Sequence, residues 1–173
     1  MTEEETQATL DSLQQGASAL QAALTGVGEA MAQRVPGPGR WSILQCVEHI
    51  ALTEDFLFAS IVSANAATTP LVNTDREARI ATRGADRSRH VEAPEGVRPR
   101  GSFHSTDQAL RHFLDCREMT LEYVDAHSTE DLRCLVTSHP LFGAMNVYEV
   151  LLLMAVHVQR HVSQTQEIKG ELS

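Results

Sequence analysis

Residues 146–173 read NVYEVLLLMAVHVQRHVSQTQEIKGELS, and how this stretch folds decides how the rest of the chain must be arranged. Asn146 with Glu149 three residues on is a helix-starting pair, in which each side chain can satisfy the other's unpaired backbone N–H. From there Val150, Leu153, Met154, His157, His161, Gln164 and Ile168 recur at threes and fours and form one stripe of a helix. The spacing predicts a helix from Asn146 to about Lys169, with Gly170 as a left-handed residue after its end and Lys169 against the negative end of its dipole. Between Val150 and Val158 this helix is apolar almost all the way round, so it must be covered on more than one side.

Three further helices can supply that cover. The first runs from about Glu3 to Gln33, opened by a Thr2/Glu5 capping box and carrying Leu10, Leu13, Ala17, Leu20, Leu24 and Val27 on its apolar side. Gly26 and Gly28 weaken its last turns, and VPGPGR at residues 35–40 breaks it. The second starts at Ser42, with Gln45 as cap partner and Trp41 placed to staple onto Cys46, and continues to about Ser63. The third starts at Ser105 or Thr106 and runs to about His127. Residues 64–104 between the second and third are polar and rich in Pro, Gly, Thr and Arg, with at most a short helix at Thr74–Arg83. That length suits a crossover running along a bundle. Residues 128–145 hold one further helical turn near Glu130–Leu135, and no segment alternates clearly enough to posit a sheet. The expected architecture is all-α: one domain over residues 1–173, a four-helix bundle with a long crossover between helices two and three.

Length and charge narrow the function. A chain of 173 residues suits one core. With 14 basic against 23 acidic residues and a formal charge of −9, it lacks the basic surface that nucleic acids or anionic membranes require. MTEEETQ is not a signal peptide, and the apolar run Val150–Val156 is too short to span a bilayer. Cys46, Cys116 and Cys134 are odd in number and widely spaced, as in reduced core cysteines. A soluble cytoplasmic domain acting on a small molecule is expected.

Chemistry concentrates in the histidines. His157 and His161 are four residues apart on the inward stripe of the last helix, and His49 shares a stripe of the second helix with Gln45, Leu52 and Phe56. A buried imidazole needs partners for both ring nitrogens. Facing stripes would bring three rings to one point, where a metal ion could satisfy them. Spacing alone leaves that site and two satisfied core histidines in the last helix equally open.

Other residues read more plainly. Glu48 points away from the His49 stripe, as a solvated or interhelical salt-bridge residue would, and Glu149 is a cap partner. Gln45 and Gln164 could orient a ring or a bound water, or serve as cap and polar-core groups. Arg76, Arg79, Arg83 and Arg87 at helical spacing, with Arg89, Arg98 and Arg100, place half of the basic residues in the crossover. They read as a solvated face paired with acidic groups rather than as an anion-binding patch. Arg117 calls for a buried partner, and His139 for loop packing close to the site mouth. Cys46 reads as a packed thiol, and His90, His104, His112 and His127 have no ligand spacing.

RWSILQCVEHIALTE at residues 40–54, APEGVRP at 93–99 and HPLFGAMNVYEVLLLMAVHVQRHVSQTQEI at 139–168 together resemble the DinB/YfiT-like superfamily over nearly the whole chain. The resemblance implies a four-helix bundle with a long crossover and a divalent metal held by three histidines. One follows the W-S pair and two come from the last helix, which here are His49, His157 and His161. It further implies a metal-dependent enzyme and, often, a homodimer. Three imidazoles leave a position for water or a substrate thiolate, and without a carboxylate they favour Zn²⁺ or Ni²⁺. The chemistry implied is hydrolysis, or S-transfer with a low-molecular-weight thiol such as bacillithiol or mycothiol. A non-catalytic metal-binding or dimerising interaction protein is the alternative, and no catalytic residue beyond the ligands is assigned.

Overall fold

A computed structural model describes residues 1–88, 91–127 and 131–173. The first helix, α1 (Glu3–Leu24), opens with the expected capping box: the Glu5 amide donates to the Thr2 hydroxyl and the Thr2 amide to the Glu5 carboxylate. It stops at Leu24 instead of running to Gln33, because Gly26 takes φ +77° and turns the chain before a separate α2 (Glu29–Gln33). Ser42 and Gln45 cap α3 (Ile43–Val62) reciprocally. The crossover holds a two-residue β1 (Asn65–Ala66) and α4 (Thr74–Arg83), and α5 (Thr106–Ala126) follows with Ser105 as N-cap. The chain then forms β2 (Leu135–His139) and β3 (Gly143–Asn146) before α6 (Val147–Leu172).

Helices α1, α3, α5 and α6 are the four-helix bundle. Its core has two halves. One contains Leu13 of α1, Leu57 and Ile61 of α3, Val124 of α5, and Leu151 and Met154 of α6. The other contains Leu20, Val47, Ile50, Phe113, Val158 and Ile168 from the same helices. Helices α1 and α6 therefore run from the first half to the second, and α3 and α5 run the opposite way. Glu48 reaches the backbone just before α5, and His112 of α5 reaches Asp55, so α3 and α5 lie side by side and parallel. Two parallel neighbours cannot be joined by a short turn, which is why the crossover must return along the bundle.

Helix α4 lies on α6 and supplies cover to its apolar belt. Arg76 makes a two-pronged pair with Glu149, at 2.6 and 2.5 Å, while Glu149 also accepts from the Asn146 amide in the α6 capping box. Ile80 joins the core beside Val156. A Cβ on Gly84 would overlap Val156 Cγ2 and come within 2.7 Å of the Ile80 carbonyl oxygen, so a side chain there would block this approach.

Two further details differ from the sequence-based expectation. A small antiparallel sheet exists, ordered β1-β2-β3, with Asn65 opposite Val136 and Val136 opposite Asn146. Its strands have two, five and four residues, too few to show a period of two. Gly170 does not end α6, which continues to Leu172, and Gly170 is not among the left-handed glycines. The helical turn expected near Glu130–Leu135 is present, as a 3₁₀ turn at Leu132–Cys134, while Glu130 lies outside the described residues. Among the described residues, no helix is long and apolar enough to cross a membrane.

Candidate metal centre

His49 is seven residues into α3, and His157 and His161 lie two turns or more into α6, so all three are carried by regular backbone rather than loops. Because the two helices are antiparallel neighbours, their inward stripes meet. His49 is 4% and His161 6% exposed, while His157 is partly exposed. One nitrogen from each ring lies within 4.8 Å of the others, and His157 Nε2 is 3.1 Å from His49 Nε2. The sequence-predicted triad is brought together.

Hydrogen bonds settle which nitrogens can face the cluster. His49 Nδ1 is 2.6 Å from the Val97 carbonyl oxygen, which can only accept, so Nδ1 carries the hydrogen and Nε2 offers a lone pair. His161 Nδ1 is 2.8 Å from Gln164 Oε1, and donating to it likewise frees Nε2. Trp41 packs on this side, with ring centroids 4.9 Å from His49 and 6.2 Å from His161.

Burial keeps all three rings neutral. It pushes His49 below its ordinary range, against the opposing pull of the Val97 carbonyl. Burial, and then the neighbouring His49, pushes His161 down to about 3. Burial again, with His161 and His49 next in weight, holds His157 well below its ordinary value. Neutral imidazole is the form that binds a metal. In a tetrahedral zinc site, nitrogens about 2.1 Å from the ion stand about 3.4 Å apart. The rings thus need only a modest rotation, and the donor set fits a divalent metal ion.

The neighbouring candidates divide clearly. Gln164 holds His161, whereas Gln45 serves only its cap. Glu48 corrects the expectation of a solvated or salt-bridging residue: it is 1% exposed and accepts from the amides of Arg100, Gly101 and Ser102. Adjacent residues of α3 thus hold one crossover segment twice, Glu48 at 100–102 and His49 at Val97. Nothing in the sequence marks a backbone carbonyl as a histidine's partner, although the Pro- and Gly-bearing run around Val97 indicates a shaped loop.

Elsewhere the structural readings hold. Arg117 is buried and forks onto Glu54 at 2.6 and 2.8 Å, with a third bond to the Leu13 carbonyl. Arg76 pairs with Glu149, Arg87 with Glu167 and Arg98 with Glu92, while Arg79 and Arg83 are exposed. The Arg100 side chain donates to Ser102. His139 is not one of the clustered histidines and packs at the end of β2 between Phe56 and Phe142. His112 meets Asp55, His127 the Tyr123 carbonyl, and the His104 amide donates to Gln108. Arg89 and His90 lie outside the described residues. The three thiols are free, and burial pushes Cys46 and Cys116 up to about 12.

Residues 12–165 match the family model of the DinB superfamily. The chain belongs to the DinB superfamily. Among its relatives is the uncharacterized protein YuaE of Bacillus subtilis (strain 168), 24% identical over 149 residues, covering 86% of this chain and 90% of that protein. YfiT from Bacillus subtilis, described as a probable metal-dependent hydrolase with an unusual four-helix bundle topology, superposes with a TM-score of 0.61 at 13% identity. That match covers 98% of this chain and 89% of YfiT. The four-helix bundle protein TT2238 superposes at 0.60 with 22% identity, over 94% of this chain and 98% of that one. At these identities the structural matches show a shared four-helix-bundle fold.

Proposed function

We propose that this protein is a metal-dependent enzyme acting on a small molecule, with one Zn²⁺ or Ni²⁺ held by His49, His157 and His161. The observation that carries the proposal is the convergence of three neutral imidazoles within 4.8 Å, two of them with Nδ1 occupied by a protein oxygen. Bound there, the ion would supply Lewis-acid activation at the position left to water or substrate.

The chain's own residues set the conditions for that chemistry. The Val97 carbonyl and Gln164 fix the tautomer and plane of two ligands, and such partners are typically worth ten- to a hundredfold in metal affinity. Trp41 shields the His49 and His161 rings from one side. Hydrolysis is the leading reading, in keeping with the description given to YfiT. S-transfer is the second. It would require a low-molecular-weight thiol brought as cosubstrate, because no cysteine of the described residues joins the histidine cluster, and Cys46 and Cys116 are buried besides. The cytoplasmic homodimer expected from the sequence belongs to the same proposal, although α4 already lies over α6, and sedimentation equilibrium would read it directly.

Metal analysis of protein purified without a histidine tag or added metal tests the site. We expect about one equivalent per chain, lost in a His157→Ala/His161→Ala double variant. A chain that neither retains nor takes up metal sinks the proposal. The loaded protein would then be offered an ester and amide panel, and separately bacillithiol, mycothiol or glutathione with monochlorobimane. Turnover in neither would leave a non-catalytic metal-binding protein.

A further inference from the structure

Six threonines are buried in helices of the described residues; apart from Thr106 at the first position of α5, they divide in an informative way. The hydroxyls of Thr6, Thr9 and Thr120 each donate to the carbonyl four residues back. Those of Thr53 and Thr165 do not, and they are the buried side-chain polar atoms without a partner among the described residues. Thr53 follows His49 by four residues, and Thr165 follows His161 by four. Residues four apart share a helix face, and helical side chains tilt toward the N-terminus. Each of these two side chains therefore leans over the turn that carries a histidine of the cluster.

The two positions differ in what lies beyond them. Because α3 and α6 are antiparallel, Thr53 lies toward the His157 end of the cluster, where that histidine is partly exposed to solvent. Thr165 lies toward the other end, which is closed: His161 is 6% exposed and Trp41 packs against it. A buried hydroxyl without a partner is unfavourable, and one beside a candidate site is explained where a bound water or ligand supplies the missing bond.

We propose that Thr53 is a positioning residue, whose hydroxyl donates a hydrogen bond to an oxygen of the substrate or water lodged beside the three histidines on the solvent-facing side. This rests on the metal reading above and adds a substrate class: a molecule presenting an oxygen acceptor, such as a carboxylate or carbonyl, to the site. Thr165 has the same chemistry at the closed end and serves as the comparison.

The test uses Co²⁺-loaded full-length chain and acetate, with the visible d–d absorption as readout. Wild type, Thr53→Val and Thr165→Val should take up Co²⁺ alike. Acetate affinity should fall about tenfold or more in Thr53→Val, return in Thr53→Ser, and stay unchanged in Thr165→Val. Apo Thr53→Val should melt no lower than wild type, since it removes an unpaired hydroxyl at nearly constant shape. Acetate binding unaltered by Thr53→Val, or weakened equally by Thr165→Val, overturns the role of Thr53 while leaving the metal site standing. A lower melting point of apo Thr53→Val also overturns it, by showing a structural partner for the hydroxyl. Failure of the wild type to bind Co²⁺ removes the metal reading and this inference together.

Discussion

Replacing Glu48 by alanine is the sharpest single perturbation of the way the crossover is held. Its carboxylate accepts three backbone amides, at 2.9, 3.2 and 2.7 Å, from Arg100, Gly101 and Ser102. Hydrogen bonds to a charged acceptor contribute about 1.5–3 kcal/mol each where the alternative is an unsatisfied donor. Residues 100–102 are exposed, so their freed amides can recover part of that from water. The longest of the three bonds also contributes least. We therefore expect Glu48→Ala to lose about 3 kcal/mol, and Glu48→Gln about half as much because its amide oxygen still accepts. For a domain of this size that corresponds to a fall in Tm of roughly 6–12 °C for the alanine variant. Urea melts of the apo protein, followed by far-UV circular dichroism, measure the loss. Because the same segment brings Val97 to His49, metal affinity by chelator competition should fall as well, by about tenfold. A Glu48→Ala protein within about 0.5 kcal/mol of wild type would refute the clamp.

Three further perturbations probe other parts of the fold. Arg117→Ala should cost about 3–5 kcal/mol in urea melts, since it strands Glu54 in a buried setting, whereas Glu54→Leu/Arg117→Met together should recover most of that loss. Gly84→Ala should destabilise by about 1–3 kcal/mol, read in the same melts, because its methyl overlaps Val156 and crowds the Ile80 carbonyl. Glu5 is held down to about 2 chiefly by its hydrogen bonds from Arg133, against 4.5 when free. Between those values the unfolded chain binds more protons, so its contribution to stability is complete above pH 4.5 and is lost as the pH falls through about 2. Glu5→Gln should flatten that part of the acid stability profile, and an unchanged slope would contradict the assignment.

The bundle was legible where local chemistry and periodicity agree. Thr2/Glu5, Ser42/Gln45 and Asn146/Glu149 all form the capping boxes their spacing announces, and Ser105 caps α5. His49, His157 and His161 were legible as a set because inward stripes on two neighbouring helices have to meet. What sequence could not show depends on contacts made far along the chain. Glu48 reads as a surface charge until the backbone of residues 100–102 is laid against it. β1 has two residues and gains its pairing only from Leu135 and Val136. Gly170 carries the residue type of a helix end, but α6 runs past it, since a glycine weakens a helix without being obliged to stop it.

The parallel pairing of α3 with α5 has a consequence for how the molecule assembles. His49 meets His157 across 108 residues of chain, and Val97, which orients His49, is itself 48 residues away. No contiguous fragment short of the docked α6 contains the cluster, so it depends on contacts between distant parts of the chain. Any ligand that bridges His49 to the two histidines of α6 therefore recognises only chains whose last helix has closed. It disfavours every form in which that helix is loose, and so acts as a latch on the docked helix.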